Sequence, residues 1–305
     1  MTSQSPPVIF DTVRHTRFRD RAAREFDEYD FLKARVSSAL AERLEDTSHT
    51  FKGGLDLGCH GGALARAMLA TGKVQSMEGA ETSGGMASIA RAGGLKTSLW
   101  DGSTLPFEEE QFDLVVSALS LHWINDLPGA FIQVNRLLKP DGLFLAAYFG
   151  AGTLAELREC LMRAETELTS GAAPRVSPLP GLQDSAALLQ RAGFALPVAD
   201  VDTLTVRYDT MFHLISDLRG MGEQAAFASG GRALSRRILA RAAEIYASEF
   251  ADPDGRIRAS FVITWLSGWA PAPNQPKPKR PGSARASLAA AVGGVEKSAG
   301  EKAGG

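Results

Sequence analysis

A glycine-rich turn in the first third of the chain carries the residue types that nucleotide binding requires. Residues 55–62 are Leu-Asp-Leu-Gly-Cys-His-Gly-Gly, so an apolar segment that contains Asp56 ends at Gly58, and two further glycines follow. Glycine allows the backbone to turn sharply and to approach a ligand closely. In a doubly wound α/β sheet such a turn follows the first strand, where nucleotides bind. A dinucleotide motif, G-x-G-x-x-G, is disfavoured because His60 and Ala63 occupy the positions of its second and third glycines.

Two carboxylates follow at the predicted ends of the next two strands. Glu78 lies 22 residues after Asp56, a spacing at which a carboxylate accepts the ribose hydroxyls of a nucleoside held at the first turn. Asp101 follows the third strand and is expected to receive an adenine amino group, while Gly102 leaves room for the ring. Each carboxylate alone is also typical of a polar strand end that faces water. Three successive strand ends with such residues predict a nucleoside cofactor.

The segment after the predicted fourth strand contains a candidate for proton transfer. His122 lies in residues 119–126, Leu-Ser-Leu-His-Trp-Ile-Asn-Asp. A histidine there is able to accept a proton or to orient a substrate, and the alternative is a packed structural histidine beside Trp123. The Asn/Asp-Pro-Pro-Tyr/Phe motif of amino-group methylation is absent after this strand. No group of His, Cys, Asp and Glu has metal-ligand spacing, so we expect no metal site.

Hydrophobic periodicity predicts the elements that position these residues. The predicted strands are residues 54–59, 74–77 (ending at Glu78), 96–100, 112–119, 143–148, 201–208 and 259–269. The predicted helices are residues 29–45, 62–71, 87–91, 127–138, 153–168, 185–192, 211–219 and 232–250. Residues 139–142 are a predicted turn, and Thr153 with Glu156 is a predicted capping box.

Alternating strands and helices with short links predict an α/β fold. The first five strands form a parallel sheet of the Rossmann type, and further helices are inserted between strands six and seven. Residues 29–269 therefore form one elaborated domain, preceded by an N-terminal cap segment, residues 1–28. Residues 270–305 are rich in Pro, Ala and Gly and predict a disordered tail.

Composition excludes several classes of protein. The net charge of −2 gives no reason to expect nucleic acid as a partner. Two cysteines are too few for a disulfide framework, and no apolar run has the length of a membrane span, so we expect a bacterial cytoplasmic protein. The tail has a net charge of +4, which suggests contact with an anionic partner or with the inner face of the membrane, a solvated tail being the alternative.

The motifs together resemble a known family. The turn at residues 55–62, Glu78, Asp101 and residues 112–126 resemble the type 11 family of S-adenosylmethionine (SAM) methyltransferases. Four longer stretches are similar to the family of mitochondrial complex I assembly factor 5 and its alphaproteobacterial relatives; they are residues 117–128, 138–144, 149–158 and 211–223, and the tail segment 279–287 is also similar.

The resemblance implies a seven-stranded class I methyltransferase fold that binds SAM. By position, Asp56, Gly58, Glu78, Asp101, Gly102 and Ser117 would hold the cofactor. The segment 18–24 and the helices after residue 211 would cover the site. His60 departs from the family pattern, since it stands where glycine is usual.

The resemblance also implies a protein substrate. The mitochondrial member of the family is an arginine hydroxylase that acts on a core subunit of complex I, so we expect modification of an arginine, by hydroxylation or by methylation, during assembly of that complex. One alternative is a carboxyl O-methyltransferase acting on a malonyl carrier protein in biotin synthesis, because those enzymes share the motif after strand four. The other alternative is a non-catalytic chaperone that binds SAM as a structural ligand.

Overall fold

A computed structural model of the protein describes residues 8–169, 171–229 and 233–276. The strands are β1 (Phe51–Leu57), β2 (Val74–Glu81), β3 (Lys96–Leu99), β4 (Phe112–Ala118), β5 (Leu138–Phe149), β6 (Ala195–Tyr208) and β7 (Ile257–Trp269). The helices are α1 (Thr12–Ala22), α2 (Phe31–Glu45), α3 (Ala63–Ala70), α4 (Gly84–Ala92), α5 (Leu127–Leu137), α6 (Ala155–Leu168), α7 (Leu182–Arg191), α8 (Met211–Gly220) and α9 (Arg236–Glu249). Short 3-10 turns lie at Phe26–Glu28 and Leu121–Trp123.

The seven strands form one sheet in the order β3-β2-β1-β4-β5-β7-β6. Strands β1 to β5 are parallel to one another, whereas β7 is antiparallel to both β5 and β6. The chain leaves the sheet after β6 and adds α8 and α9 before it returns as β7. The predicted α/β class, the seven strands and the inserted helices are confirmed.

The central strands are apolar on both faces because helices cover both sides of the sheet. In β4, Leu114 and Val116 pack in one core layer with residues of α2, α3, α6 and α9, while Val115 packs in the other layer with residues of α5 and α7. Successive side chains of a strand point to opposite faces, so the run Phe-Asp-Leu-Val-Val-Ser-Ala contributes to both layers.

Several predicted boundaries are wrong. Strands β1 and β6 begin earlier than predicted, at Phe51 and Ala195, and two further errors concern β2 and β5. Strand β2 does not end at Glu78 but continues to Glu81, because Gly79 stays paired with Asp56 of β1 and the ladder runs on. The predicted turn at residues 139–142 lies inside β5 instead, where Asp141 has a φ of 64° and the pairing with β4 shifts register between Phe112 and Leu114. Both errors arose because residues typical of turns interrupt a strand without ending it.

The predicted capping box is also wrong. Helix α6 begins after Leu154, whose φ is 53°. The Thr153 hydroxyl instead donates to the Val262 carbonyl and accepts from its N–H, and the Glu156 carboxylate accepts from Ser260. These polar side chains therefore attach α6 to strand β7.

The N-terminal segment forms an unpredicted helix, α1, that the Asp11 carboxylate caps by accepting from the Arg14 N–H. The described residues up to Pro271 form one compact unit. Most of the predicted tail, residues 277–305, lies outside the described residues, as does Arg232 at the predicted start of α9. Within the described ranges no helix has the length and hydropathy needed to cross a membrane.

The core layer under α5 supplies a test of the packing. Phe131 is fully buried and packs edge-on against Phe144, whereas the next residue, Ile132, is 40% exposed. Truncation of a buried phenylalanine removes buried apolar area and leaves a cavity, so we expect Phe131→Ala to lower the free energy of unfolding by about 3–5 kcal/mol. Urea denaturation measures the change, and Ile132→Ala is the control, with an expected loss below about 1 kcal/mol. Equal losses in the two variants would contradict this packing.

Candidate functional site

The first turn is built by Asp56 and Gly58. The buried Asp56 carboxylate accepts from the Ala65 N–H at 3.1 Å and so holds the start of α3, while its other oxygen, Oδ1, has no hydrogen-bond partner among the described residues. Gly58 has a φ of 73°, and a Cβ there would lie 1.9 Å from the Ser120 hydroxyl. Glycine is therefore required both for the conformation and for the space.

The carboxylate that closes β2 is Glu81 and not the predicted Glu78. Glu78 lies within the strand, and its partly exposed carboxylate forms an ion pair with Lys96 at 2.8 Å. Glu81 is fully buried; one of its oxygens accepts from the His60 N–H, and the other accepts from the Thr82 and Ser83 N–H groups. The structure thus replaces Glu78 by Glu81 at the strand end next to the turn.

The remaining predicted cofactor residues differ in their surroundings. Asp101 follows β3 and is exposed, and its carboxylate accepts from the Ser103 N–H and hydroxyl, which lowers its pKa. Gly102 has a φ of 87° with open space beside its Cα. Ser117 is fully buried, and its hydroxyl donates to the Leu57 carbonyl at 2.6 Å. The Ser117 side chain therefore joins β4 to β1, and its predicted contact with the cofactor stays a prediction.

The site also contains a lysine that was not predicted. Lys33 of α2 is only 3% exposed, and its ammonium nitrogen lies 3.1 Å from the Gly58 carbonyl oxygen and 2.6 Å from the Ala118 carbonyl oxygen. It also lies 2.7 Å from Nδ1 of His60. A protonated lysine has only donors, so Nδ1 of the neutral His60 ring accepts this hydrogen bond. His60 itself has a φ of 49° and stacks on Phe26.

Helix α1 covers the end of β2. The Arg19 guanidinium donates to the Glu81 carboxylate at 3.1 Å, and the two side chains are 3% and 0% exposed. The next residue, Asp20, accepts from the Ser83 hydroxyl and the Gly85 N–H. Both contacts attach α1 to the loop between β2 and α4.

Burial dominates the protonation of these groups. It lowers the pKa of Lys33 to about 8 and raises the pKa of Asp56 to about 6, and the mutual attraction of the two side chains opposes both shifts. Burial together with the nearby charges of Arg19 and Lys33 holds the pKa of His60 well below its ordinary value. Burial also raises the pKa of Cys59, so this thiol is protonated and is a poor nucleophile.

Only a small gap lies beside Lys33 and His60. The gap bounded by Phe26, Lys33, His60, Leu119 and Glu223 has a volume of about 20 Å³. That volume admits about one water molecule, whereas ligand sites usually measure about 300–1,000 Å³. A ligand group larger than about one water molecule therefore does not fit beside Lys33 and His60.

A larger cavity lies beside this closed region. It has a volume of about 490 Å³, and its wall includes Trp123, Phe149, Phe212 and Arg219. Phe149 and Glu223 line both the cavity and the small gap. The two spaces are therefore neighbours, and these two side chains separate them.

The predicted candidate His122 lies at the wall of the cavity. It is 4% exposed, and its Nε2 lies 3.0 Å from the Glu223 carboxylate, which also accepts from the Trp123 indole N–H at 2.7 Å. Burial raises the pKa of Glu223, but His122, His15 and the hydrogen bonds outweigh it and lower the pKa. An ionised Glu223 only accepts, so Nε2 of His122 donates, while its buried Nδ1 has no partner among the described residues.

Three residues of the site, Lys33, Glu81 and Glu223, escaped sequence analysis. Lys33 had a detectable signal, since it shares a buried helix face with Ser37, Leu40 and Leu44. Glu81 is followed by Ser83, which caps α4 by accepting from the Met86 N–H, and a cap at that position implies a strand that runs to about residue 81. Glu223 had no signal beyond its place in the stretch 211–223.

Comparisons with known proteins agree with this geometry. Residues 55–146 match a family model described as a methyltransferase domain. The chain is 38% identical over 292 residues to a Danio rerio protein named arginine-hydroxylase NDUFAF5, mitochondrial, covering 92% of this chain and 88% of that one. It is 29% identical over 273 residues to a malonyl-[acyl-carrier protein] O-methyltransferase of Xylella fastidiosa, covering 86% and 89%. The crystal structure of the Bacillus subtilis YcgJ protein has the same fold, with a TM-score of 0.54, 17% identity, and coverage of 76% and 98%.

The buried Asp56 carboxyl group makes the stability of the protein depend on pH. Its pKa is raised from 3.8 to about 6 in the folded state, so the folded protein binds the extra proton between these values and stability falls as pH rises through that window. We expect the difference in free energy of unfolding between wild type and Asp56→Asn to fall by roughly 2–3 kcal/mol from acid to neutral pH. Denaturation with urea at a series of pH values measures it, and carboxylates common to both proteins cancel. A difference that rises with pH would show that the charge of Lys33 outweighs burial.

Proposed function

Since this chain belongs to the family of the arginine-hydroxylase NDUFAF5 proteins, we propose that it modifies an arginine side chain of a respiratory complex I core subunit during assembly. The protein is an enzyme with the SAM-dependent methyltransferase fold. The observation that supports an arginine substrate is the Glu223 carboxylate, which lies in the wall of a largely aromatic and aliphatic cavity.

The cavity suits a guanidinium group chemically. Glu223 uses one oxygen to accept from His122 and Trp123, and an ionised carboxylate has about four acceptor positions in total. A guanidinium forms strong, charge-assisted hydrogen bonds with such a carboxylate. The faces of Trp123, Phe149 and Phe212 add favourable cation–π surfaces.

His122 is proposed as the group that handles a proton. With Nε2 donating to Glu223, its Nδ1 has no partner among the described residues, and we propose that it accepts a proton from the substrate once a movement of the ring or its neighbours exposes this buried nitrogen. Glu223 also fixes the orientation and tautomer of the ring. The predicted alternative is a purely structural histidine, and an unchanged modified fraction for a folded His122→Gln variant in the mass analysis below would support it.

Hydroxylation is the reaction that the name of the relatives favours. In that reaction one oxygen atom of dioxygen is inserted into a bond between a hydrogen atom and the arginine side chain. The other oxygen atom leaves as water. The balance requires two electrons and two protons from an external reductant, which we propose as a co-substrate. Methylation is the alternative outcome, with SAM as the methyl donor.

SAM binding remains part of the proposal. Asp56, Gly58, Asp101 and Gly102 are proposed to contact the cofactor, with Glu81 in the place first given to Glu78. Their support is the methyltransferase domain match and the position of these residues at the carboxyl ends of parallel strands. The closed arrangement described above has to open before the cofactor enters.

A second candidate function is methyl transfer to a malonyl carrier protein. Arg219 lines the same cavity with an exposed side chain, and a guanidinium there suits a carboxylate substrate. The Xylella fastidiosa relative has this activity in its name. Rescue of a biotin auxotroph by the gene would favour this candidate, and failure to rescue would remove it.

The substrate is tested by mass analysis of complex I subunits from a deletion strain. We expect an arginine-containing peptide to carry the mass of one extra oxygen atom only when this protein is present, whereas one extra methylene would identify methylation. We expect Glu223→Gln to reduce the modified fraction at least about tenfold, because the side chain keeps its size but loses its charge.

The control for that experiment is Glu42→Gln, which changes an exposed carboxylate on α2 and should leave the modified fraction unchanged. If neither mass appears in any strain, the enzymatic proposal is wrong. If Glu223→Gln abolishes modification while complex I still assembles, assembly depends on the protein as a chaperone and not on the reaction.

The basic tail is proposed to contact the inner face of the cytoplasmic membrane. The tail has two acidic residues and six basic residues. The basic residues are Lys277, Lys279, Arg280, Arg285, Lys297 and Lys302. We expect the full chain to sediment with vesicles of anionic lipid at low salt, and a chain ending at Pro271 to stay in the supernatant. Vesicles of neutral lipid are the control. Equal sedimentation of both chains would place the contact elsewhere.

A further inference from the structure

The ammonium group of Lys33 occupies the closed region at the ends of β1 and β4. The Lys33 ammonium donates to the Gly58 carbonyl, which follows β1, and to the Ala118 carbonyl, which ends β4. Buried carbonyl groups need a donor, and without Lys33 the Ala118 carbonyl would lose this one, while the Gly58 oxygen would keep only His60 Nδ1 at 2.9 Å. In an open α/β sheet this is the edge at which a ligand binds.

The chemistry of Lys33 matches one end of the proposed cofactor. SAM carries a primary ammonium on its amino-acid part, and the lysine side chain presents the same group. Two carbonyl oxygens that accept from Lys33 are equally able to accept from a ligand ammonium. The two ammonium groups cannot occupy the position together, because like charges repel and the gap admits only about one water molecule.

The acidic end of the site is covered in the same way. Glu81 is the carboxylate placed to accept ribose hydroxyls, and Arg19 of α1 holds it at 3.1 Å with both side chains buried. The His60 ring, stacked on Phe26, fills the space between the two ends. The Glu81 carboxylate and the carbonyls of Gly58 and Ala118 are therefore each paired with a side chain of the protein.

This closed arrangement carries unfavourable terms that opening would relieve. Arg19 Nε and Asp56 Oδ1 are buried without hydrogen-bond partners among the described residues, and an unpaired buried polar group is costly. The helix that covers the site has few apolar contacts: Ala22 packs in a cluster with Phe26 and Met86, and Phe18 packs against a cluster that contains Trp123. Its sequence, Thr-Val-Arg-His-Thr-Arg-Phe-Arg-Asp-Arg-Ala, is mostly polar, and Val13 is 60% exposed. Elements held mainly by polar contacts open most readily.

We propose that Lys33 and Arg19 act as internal substitutes for the cofactor, so that the structure is an autoinhibited state in which SAM binds only after α1 and the Lys33 side chain move aside. This inference rests on the proposed SAM binding. It makes Lys33 a competitor of the ligand and α1 a displaceable cover.

The first test measures binding of S-adenosylhomocysteine, which has the same ammonium and ribose, by calorimetry. We expect Lys33→Ala to bind at least about tenfold more tightly than wild type, because two carbonyls and the space between them become available. Lys52→Ala, at the opposite end of β1 with an exposed side chain, is the matched control and should bind as wild type does. Arg19→Ala should also tighten binding, with the exposed Arg17→Ala on the same helix as its control. Equal or weaker binding by folded Lys33→Ala and Arg19→Ala overturns the proposal.

The second test uses the unaltered protein and does not depend on how the variants fold. Ligand binding normally increases protection of backbone amides from hydrogen exchange. We expect S-adenosylhomocysteine to decrease protection in residues 12–22 while it increases protection in residues 55–66. If S-adenosylhomocysteine binds to wild type while the protection of α1 is unchanged or increased, the proposal that α1 is a displaceable cover is wrong, although SAM binding stands. If wild type and both folded variants fail to bind, SAM binding itself is wrong, while arginine modification is judged separately by the mass analysis.

Discussion

Strand β1 lies between β2 and β4, and the way these three parallel strands end at one edge places almost every polar group of the site. The turn at Gly58 brings the peptide groups of residues 58–60 beside the end of β2, so Glu81 accepts from the His60 N–H. The end of β4 brings the Ala118 carbonyl near the Gly58 carbonyl, and Lys33 spans both. The geometry is thus a consequence of strand pairing, because hydrogen bonds in the sheet set which backbone groups meet at its edge.

Charges buried at this edge explain why the site is tightly closed. Lys33 and Asp56 are both desolvated, which disfavours the charged form of each. Removing one of these buried charges leaves the other without a compensating partner. A ligand that supplies equivalent groups in place of the protein's own would avoid this cost. A cofactor with an ammonium and hydroxyl groups is such a replacement. A ligand that supplies an ammonium and hydroxyl groups at these positions would therefore be able to replace the internal pairs of the closed protein and so open the site.

The sequence was sufficient for the parts of the structure that depend on local pattern. The apolar run of β4 and the glycine turn predicted a doubly covered sheet and a sharp turn after β1, because burial on both faces and a positive φ leave clear traces in residue type. It was not sufficient for Glu81, which accepts from Arg19 across 62 residues of sequence and from His60 across 21. The cavity likewise depends on residues from β5, α6 and α8 that only the tertiary fold brings together. Long-range contacts of this kind leave no periodic signal.

The cover and the cavity are physically connected. His15 of α1 stacks on Trp123 at 4.2 Å between ring centroids, and the Trp123 indole donates to Glu223, which lines both the gap and the cavity. Burial lowers the pKa of His15 to about 3, so the ring is neutral at physiological pH and its contact with Trp123 is one of packing. If α1 moves aside, Trp123 loses this neighbour, and the carboxylate that would bind the substrate loses part of its support. The position of α1 and the shape of the cavity are therefore coupled through one aromatic side chain, so a movement of α1 that opens the gap would also alter the wall of the cavity.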